Sequence, residues 1–112
     1  MNNVAPGQLI VSKLANTGQP TRLGTLNFDE SNQATLSLDD AGPAAAEFNE
    51  VWQELSRMKE LTWKHSQPDE IDGVAIMRIV GETAKPGDFA YIYAVMNTLE
   101  RKYGYRVDLK RP

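Results

Sequence analysis

The chain contains one histidine, His65, in 112 residues. Any acid–base relay or imidazole-based metal cluster would therefore use it alone. The side chains that could work with it are carboxylates, and they fall in two short stretches. Asp39 and Asp40 form the first; Asp69, Glu70 and Asp72 form the second. His65 paired with Asp69 or Asp72 would make a general base. Several carboxylates gathered on one rim would offer the oxygen ligands that a hard divalent cation needs. Each possibility has a plainer reading beside it. The spacing matches no calcium loop. Asp39 and Asp40 stand just before a helix start, where the helix dipole favours negative charge. A histidine on an edge strand is ordinarily structural or solvated.

Other chemistries are excluded by residue type. The chain has no cysteine, which removes disulfides, thiol nucleophiles and thiolate-bound zinc or iron–sulfur clusters. None of Ser12, Ser31, Ser37, Ser56 or Ser66 sits in a Gly-x-Ser-x-Gly elbow. No glycine-rich phosphate loop or dinucleotide fingerprint occurs. We therefore expect no catalytic residue, no cofactor and no metal. His65, Asp39, Asp40, Asp69 and Asp72 are retained as ligand or metal candidates.

These residues must be positioned by a fold, and the totals bound it. A chain of this length is expected to form a single domain over residues 1–112, large enough to bury one core. Its 41% hydrophobic and 24% charged content is that of a globular domain. The formal charge of −3 is uneven: −4 over residues 1–50, −3 over 51–100 and +4 over 101–112. The basic end, with Tyr103, Tyr105, Arg106, Lys110 and Arg111, is a minor pointer to an anionic partner. Residues 1–7 read as a flexible lead-in without signal-peptide character, and no apolar stretch is long enough to span a bilayer. A cytoplasmic protein without membrane attachment is the expectation.

The strongest element signal is Val74–Val80, an almost unbroken apolar run of the kind found in a strand covered on both faces. After it, Asp88 to Tyr103 has helical periodicity, with Phe89, Ile92, Met96, Leu99 and Tyr103 on one face, Val95 widening it, and Asp88 as N-cap. Gly104 supplies the stop, and Tyr105 to Leu109 alternates as a strand. Upstream, Leu9–Val11 reads as a strand reaching towards Leu14. Leu23–Phe28 and Ala34–Leu38 then form a hairpin around the polar Asp29–Gln33 stretch. Pro43 opens a helix whose stripe of Phe48, Val51, Trp52, Leu55 and Met58 faces a core, ending near Glu60. Leu61–His65 alternates as a strand, and Ser66–Gly73 reads as a hairpin loop.

From Ala34 the order is strand, helix, strand, strand, helix, strand. This is the α+β, ferredoxin-like βαββαβ sandwich, an antiparallel sheet with two helices on one face. Residues 34–112 would form it, and residues 8–33 would add one or two N-terminal strands. Val74–Val80 would occupy the sheet centre, with Leu61–His65 and Tyr105–Leu109 at the edges. Val74, Ile76, Arg78 and Val80 would then lie on the helix-free face, while Ala75, Met77 and Ile79 meet the helices. The two acidic stretches would share one end of the sheet as a rim.

Three exposed apolar side chains on an open face mark an interface. The expected function is a non-catalytic interaction or regulatory module that binds a protein partner or a second copy of itself. Val74, Ile76, Arg78 and Val80 are the interface candidates. One alternative is a small ligand-sensing domain or acid–base enzyme using His65 and the rim; ligand-binding regulatory modules share the βαββαβ order. The other is weak nucleic-acid binding through the basic end. It is disfavoured because the candidate central strands carry no aromatics on which bases could stack.

Overall fold

The computed structural model describes residues 7–14, 18–39, 42–88 and 90–110. Its elements run β1 (Gln8–Leu14), β2 (Pro20–Phe28), β3 (Ala34–Leu38), α1 (Pro43–Ser56), β4 (Leu61–Ile71), β5 (Val74–Ala84), α2 (Tyr91–Arg101) and β6 (Arg106–Lys110). The result is α+β with two separate antiparallel sheets. One has the order β3-β2-β1-β6; the other is the β4-β5 hairpin alone.

In the larger sheet β1 is the keystone. Val11 pairs with Gly24 on one side and with Val107 on the other. A β-bulge follows: Val11 opposes Gly24 while Ser12 opposes Arg22, which leaves Leu23 unpaired. A bulge shifts the alternation of faces by one residue. That is why odd-numbered Leu23 is buried together with even-numbered Leu26 and Phe28. Leu9, Val11 and Val107 complete the buried face.

The two helices cover this face. Phe48, Trp52 and Leu55 project from α1, and Tyr91, Ala94, Val95 and Leu99 from α2. Phe48 meets Tyr105 edge-on at 5.4 Å, and Phe28 meets Tyr91 edge-on at 6.4 Å, between ring centroids. Burying side chains of this size contributes roughly 1.5–3 kcal/mol each, before the cost of ordering them. The opposite face is largely polar. Gln8 sits between Asn27 and Lys110, and Ile10 sits between Thr25 and Asp108.

Local signals read from the sequence hold in part. Pro43 is in the first turn of α1, as its missing N–H favours. Gly104 follows α2 with φ of 74°, and the Tyr105 N–H donates to the Leu99 carbonyl at 3.0 Å. Neither acidic cap forms. The α1 N-cap is Gly42, with no side-chain hydrogen bond. Asp39 instead pairs with Arg22. Asp88 accepts the Lys85 N–H at 2.9 Å within a turn that precedes α2. α2 starts at Tyr91, and its buried line runs through Tyr91, Ala94, Val95 and Leu99; Leu99 and Val95 hold as expected, while Ile92 and Met96 are only partly buried against the core. Phe89 and Asp40 lie outside the described residues. The first helix stops at Ser56 instead of near Glu60, because Leu61 enters the core as the first residue of β4.

The ferredoxin-like strand order is corrected. β1 and β2 are not additions to a four-stranded core; they are its centre. β3 is an edge strand, and β4 and β5 leave the sheet altogether. The Val74–Val80 run is therefore neither central nor covered. The expected facing fails too, since both faces of the run carry exposed side chains. Met77 and Ile79 meet no helix and are 65% and 76% exposed.

Candidate interaction site

The β4–β5 hairpin projects from the body as an arm. It is closed by Asp72-Gly73, whose φ values of 52° and 79° place both residues in the left-handed region. Two such residues make a type I′ turn, which matches the twist of a tight hairpin. The ladder then runs without a break from Ile71 opposite Val74 to Leu61 opposite Ala84. The molecule measures 56 × 41 × 26 Å with a radius of gyration of 16.0 Å. A compact chain of this length would have a radius of about 13 Å.

The arm is fastened at its base. Leu61 and Ala84 are buried in the main core. Trp63, two residues along the same face, stacks against Tyr93 of α2 with centroids 6.3 Å apart. His65 stacks on Trp63 in turn. Its Nε2 lies 3.2 Å from a Glu82 carboxylate oxygen, but outside hydrogen-bond geometry. Both this nitrogen and the Trp63 Nε1 are buried without a hydrogen-bond partner.

Beyond His65 most side chains of the arm are exposed on both faces. On the face of Trp63 the outer rows are Gln67 with Arg78, Asp69 with Ile76, and Ile71 with Val74. On the other face they are Ser66 with Ile79, Pro68 with Met77, and Glu70 with Ala75. Ile71, Val74, Ile76, Met77 and Ile79 are 41–76% exposed. Among them Arg78 is paired, its Nε 3.2 Å from Asp69 Oδ2.

The interface candidates Val74, Ile76, Arg78 and Val80 thus share one face of one strand, but on the arm instead of the main sheet. Val74, Ile76 and Arg78 are exposed; Val80, opposite His65, is half-buried. The ligand candidates are dispersed. Asp39 is at the end of β3 against Arg22, His65 is in the inner half of the arm, Asp69 is paired with Arg78, and Asp72 forms the turn at the tip. The expected acidic rim does not form, because residues 66–71 continue β4 instead of looping back. Among the described residues no group of three or more His, Asp or Glu side chains could hold a metal ion.

The basic end is altered similarly. Tyr105 is core, not a stacking platform, and burial, with Glu47 and Tyr103 nearby, pushes its phenol pKa upward. Arg106 pairs with Asp108 at 3.5 Å, the Lys102 ammonium lies over the Tyr103 ring, and Arg111 is outside the described residues. Among the described residues no helix is long and apolar enough to cross a membrane.

The sequence reading missed Met77, Ile79 and Ile71 as exposed apolar residues, and Trp63 as the fastener. One signal could have found the arm: Asp-Gly flanked by two strand-like runs is a strong mark of a two-residue hairpin. Comparisons with family models, curated proteins and solved structures give no match for this chain.

Proposed function

We propose that this protein is a non-catalytic interaction module that works through the β4–β5 arm. The observation that carries the reading is the exposure of Ile71, Val74, Ile76, Met77 and Ile79 on one two-stranded ribbon. An isolated two-stranded hairpin is marginal in water, and clustered exposed apolar side chains mark binding surfaces. A partner laid along the arm would bury these residues and stabilise the ribbon together.

The test compares the chain with its Ile76→Asp variant. Self-association is read by light scattering, and heterologous binding by capture from an extract of the source cells. Circular dichroism establishes that the variant is folded. The expected result is a bound species that the substitution removes. If the folded variant binds everything the parent binds, the arm is not the binding surface.

A ligand-sensing role for His65 is the second reading, favoured by its buried Nε2, which lies beside Glu82 without making a hydrogen bond. It expects a small polar molecule to raise the melting temperature of the parent and not of His65→Ala.

A further inference from the structure

The two long edges of the arm are not equivalent. In a type I′ hairpin the residues flanking the turn exchange hydrogen bonds, and bonded and non-bonded pairs alternate from there. Ile71 and Val74 flank the turn, so Pro68 opposite Met77 falls on a non-bonded pair. The nitrogen of Pro68 therefore faces outward. The proline leaves the hairpin ladder intact and removes a donor from the free edge of β4. Lys64 and Glu70 flank it along that edge. These are the devices by which proteins close a strand to further pairing.

The β5 edge lacks them. By the same alternation, Ala75, Met77, Ile79, Gly81 and Thr83 turn their N–H and C=O groups outward. Among the described residues no strand pairs with that edge. It is free of proline, and Arg78 is the only charge from Val74 to Val80.

Resting on the arm as the binding surface, we propose that the occupant of this edge is β5 of a second copy, antiparallel and centred on Met77. The residue pattern selects the register. Centring on Arg78 would set two guanidinium groups opposite each other, which is destabilising. Centring on Ile79 would draw the pairing down to Ala84, which is buried at the base. Centring on Ile76 would spend Ile79 and Val80 against the turn. Centring on Met77 pairs the whole apolar run with itself: Val74 with Val80, Ala75 with Ile79 and Ile76 with Arg78. Each Arg78 keeps its own Asp69. The product is a four-stranded antiparallel sheet with a β4 strand at each edge, and both outer edges are closed by Pro68. Such an assembly is two-fold symmetric and does not propagate.

The chain has no cysteine, so single cysteines report the register cleanly. Ala75, Ile76, Met77, Arg78 and Ile79 are each replaced by Cys and oxidised mildly. Light scattering over a dilution series reads the mass. The expected result is a doubled mass and a disulfide yield that peaks at Met77→Cys, where the two Cα atoms would be about 5.5 Å apart. Ile79→Pro removes an outward N–H while sparing the hairpin ladder, and returns the mass to that of one chain. A dimer with its peak at another position overturns the register. A monomer that still captures a protein in an Ile76-dependent way overturns the second copy but leaves the interaction module standing. A monomer with no such capture overturns both.

Discussion

Trp63 lies face to face with His65, their ring centroids 4.5 Å apart and their planes 25° from parallel. The same indole also stacks against Tyr93 of α2. Three rings thus join the arm to the body. Truncating a fully buried tryptophan costs about 3–5 kcal/mol. Trp63 is half-buried, so Trp63→Ala should cost roughly half of that. The urea midpoint should fall, and amide exchange should rise along β4 and β5 before it rises in β1. Unchanged exchange in the arm would mean that Leu61 and Ala84 suffice to hold it.

The imidazole itself contributes little to folding on this geometry. Its Nε2 is buried without a hydrogen-bond partner, and the Glu82 carboxylate 3.2 Å away is 44% exposed, so that losing the imidazole leaves the carboxylate to water and not unsatisfied. His65→Phe should therefore keep or slightly raise stability, within about 1 kcal/mol. A loss well beyond that, in a chemical denaturation curve, would show that the nearby Glu82 carboxylate stabilises the arm.

Two glycines should respond oppositely to alanine. A Cβ on Gly24 would lie 2.7 Å from the Ser37 carbonyl oxygen, a backbone atom held in the β2–β3 ladder. Gly24→Ala should cost about 1–3 kcal/mol or prevent folding. A Cβ on Gly81 would meet nothing within 4 Å. Gly81→Ala should be neutral or gain a few tenths of a kcal/mol by restricting the unfolded chain. Melting temperatures of the two variants decide the matter, and equal losses would contradict the packing around Gly24.

Alkaline pH should unfold the protein through its core phenols. Burial raises the pKa of Tyr91, and burial aided by Glu47 and Tyr103 raises that of Tyr105. The unfolded chain then releases these protons first as pH climbs past about 10. Folded stability is complete below that pH and falls above it. Tyr91→Phe with Tyr105→Phe should flatten the decline in denaturant midpoint above pH 10. A decline of the same steepness would assign it to other groups.

Local patterns in the chain were far more legible than its pairings. The alternation in Ala34–Leu38, the Phe48–Trp52–Leu55 stripe and the Gly104 stop each act over a few residues, and each is found in place. Strand order is set by contacts distant in sequence. Nothing near Val11 states that Val107 will lie beside it. The Val74–Val80 run shows the ambiguity most sharply. A continuous apolar strand reads the same whether its two faces are covered within the chain or from outside it. Among the candidate residues, Ile76 and Arg78 kept their shared face. Asp69 and Asp72 lost theirs with the acidic stretch around Asp39, because a polar sequence that looked like a loop continued as strand. Pro68 does not interrupt that strand, because a proline whose nitrogen points outward is compatible with an edge strand.

The pairing of β1 with β6 bears on how the protein is made. Val11 leaves the ribosome long before Val107, its neighbour in the finished sheet. Until then one edge of β1 is vacant, and Phe48 lacks the ring of Tyr105. The β4–β5 pairing is local in sequence, and short-range contacts of that kind form early. A nascent chain therefore displays its apolar arm while its own core is still open.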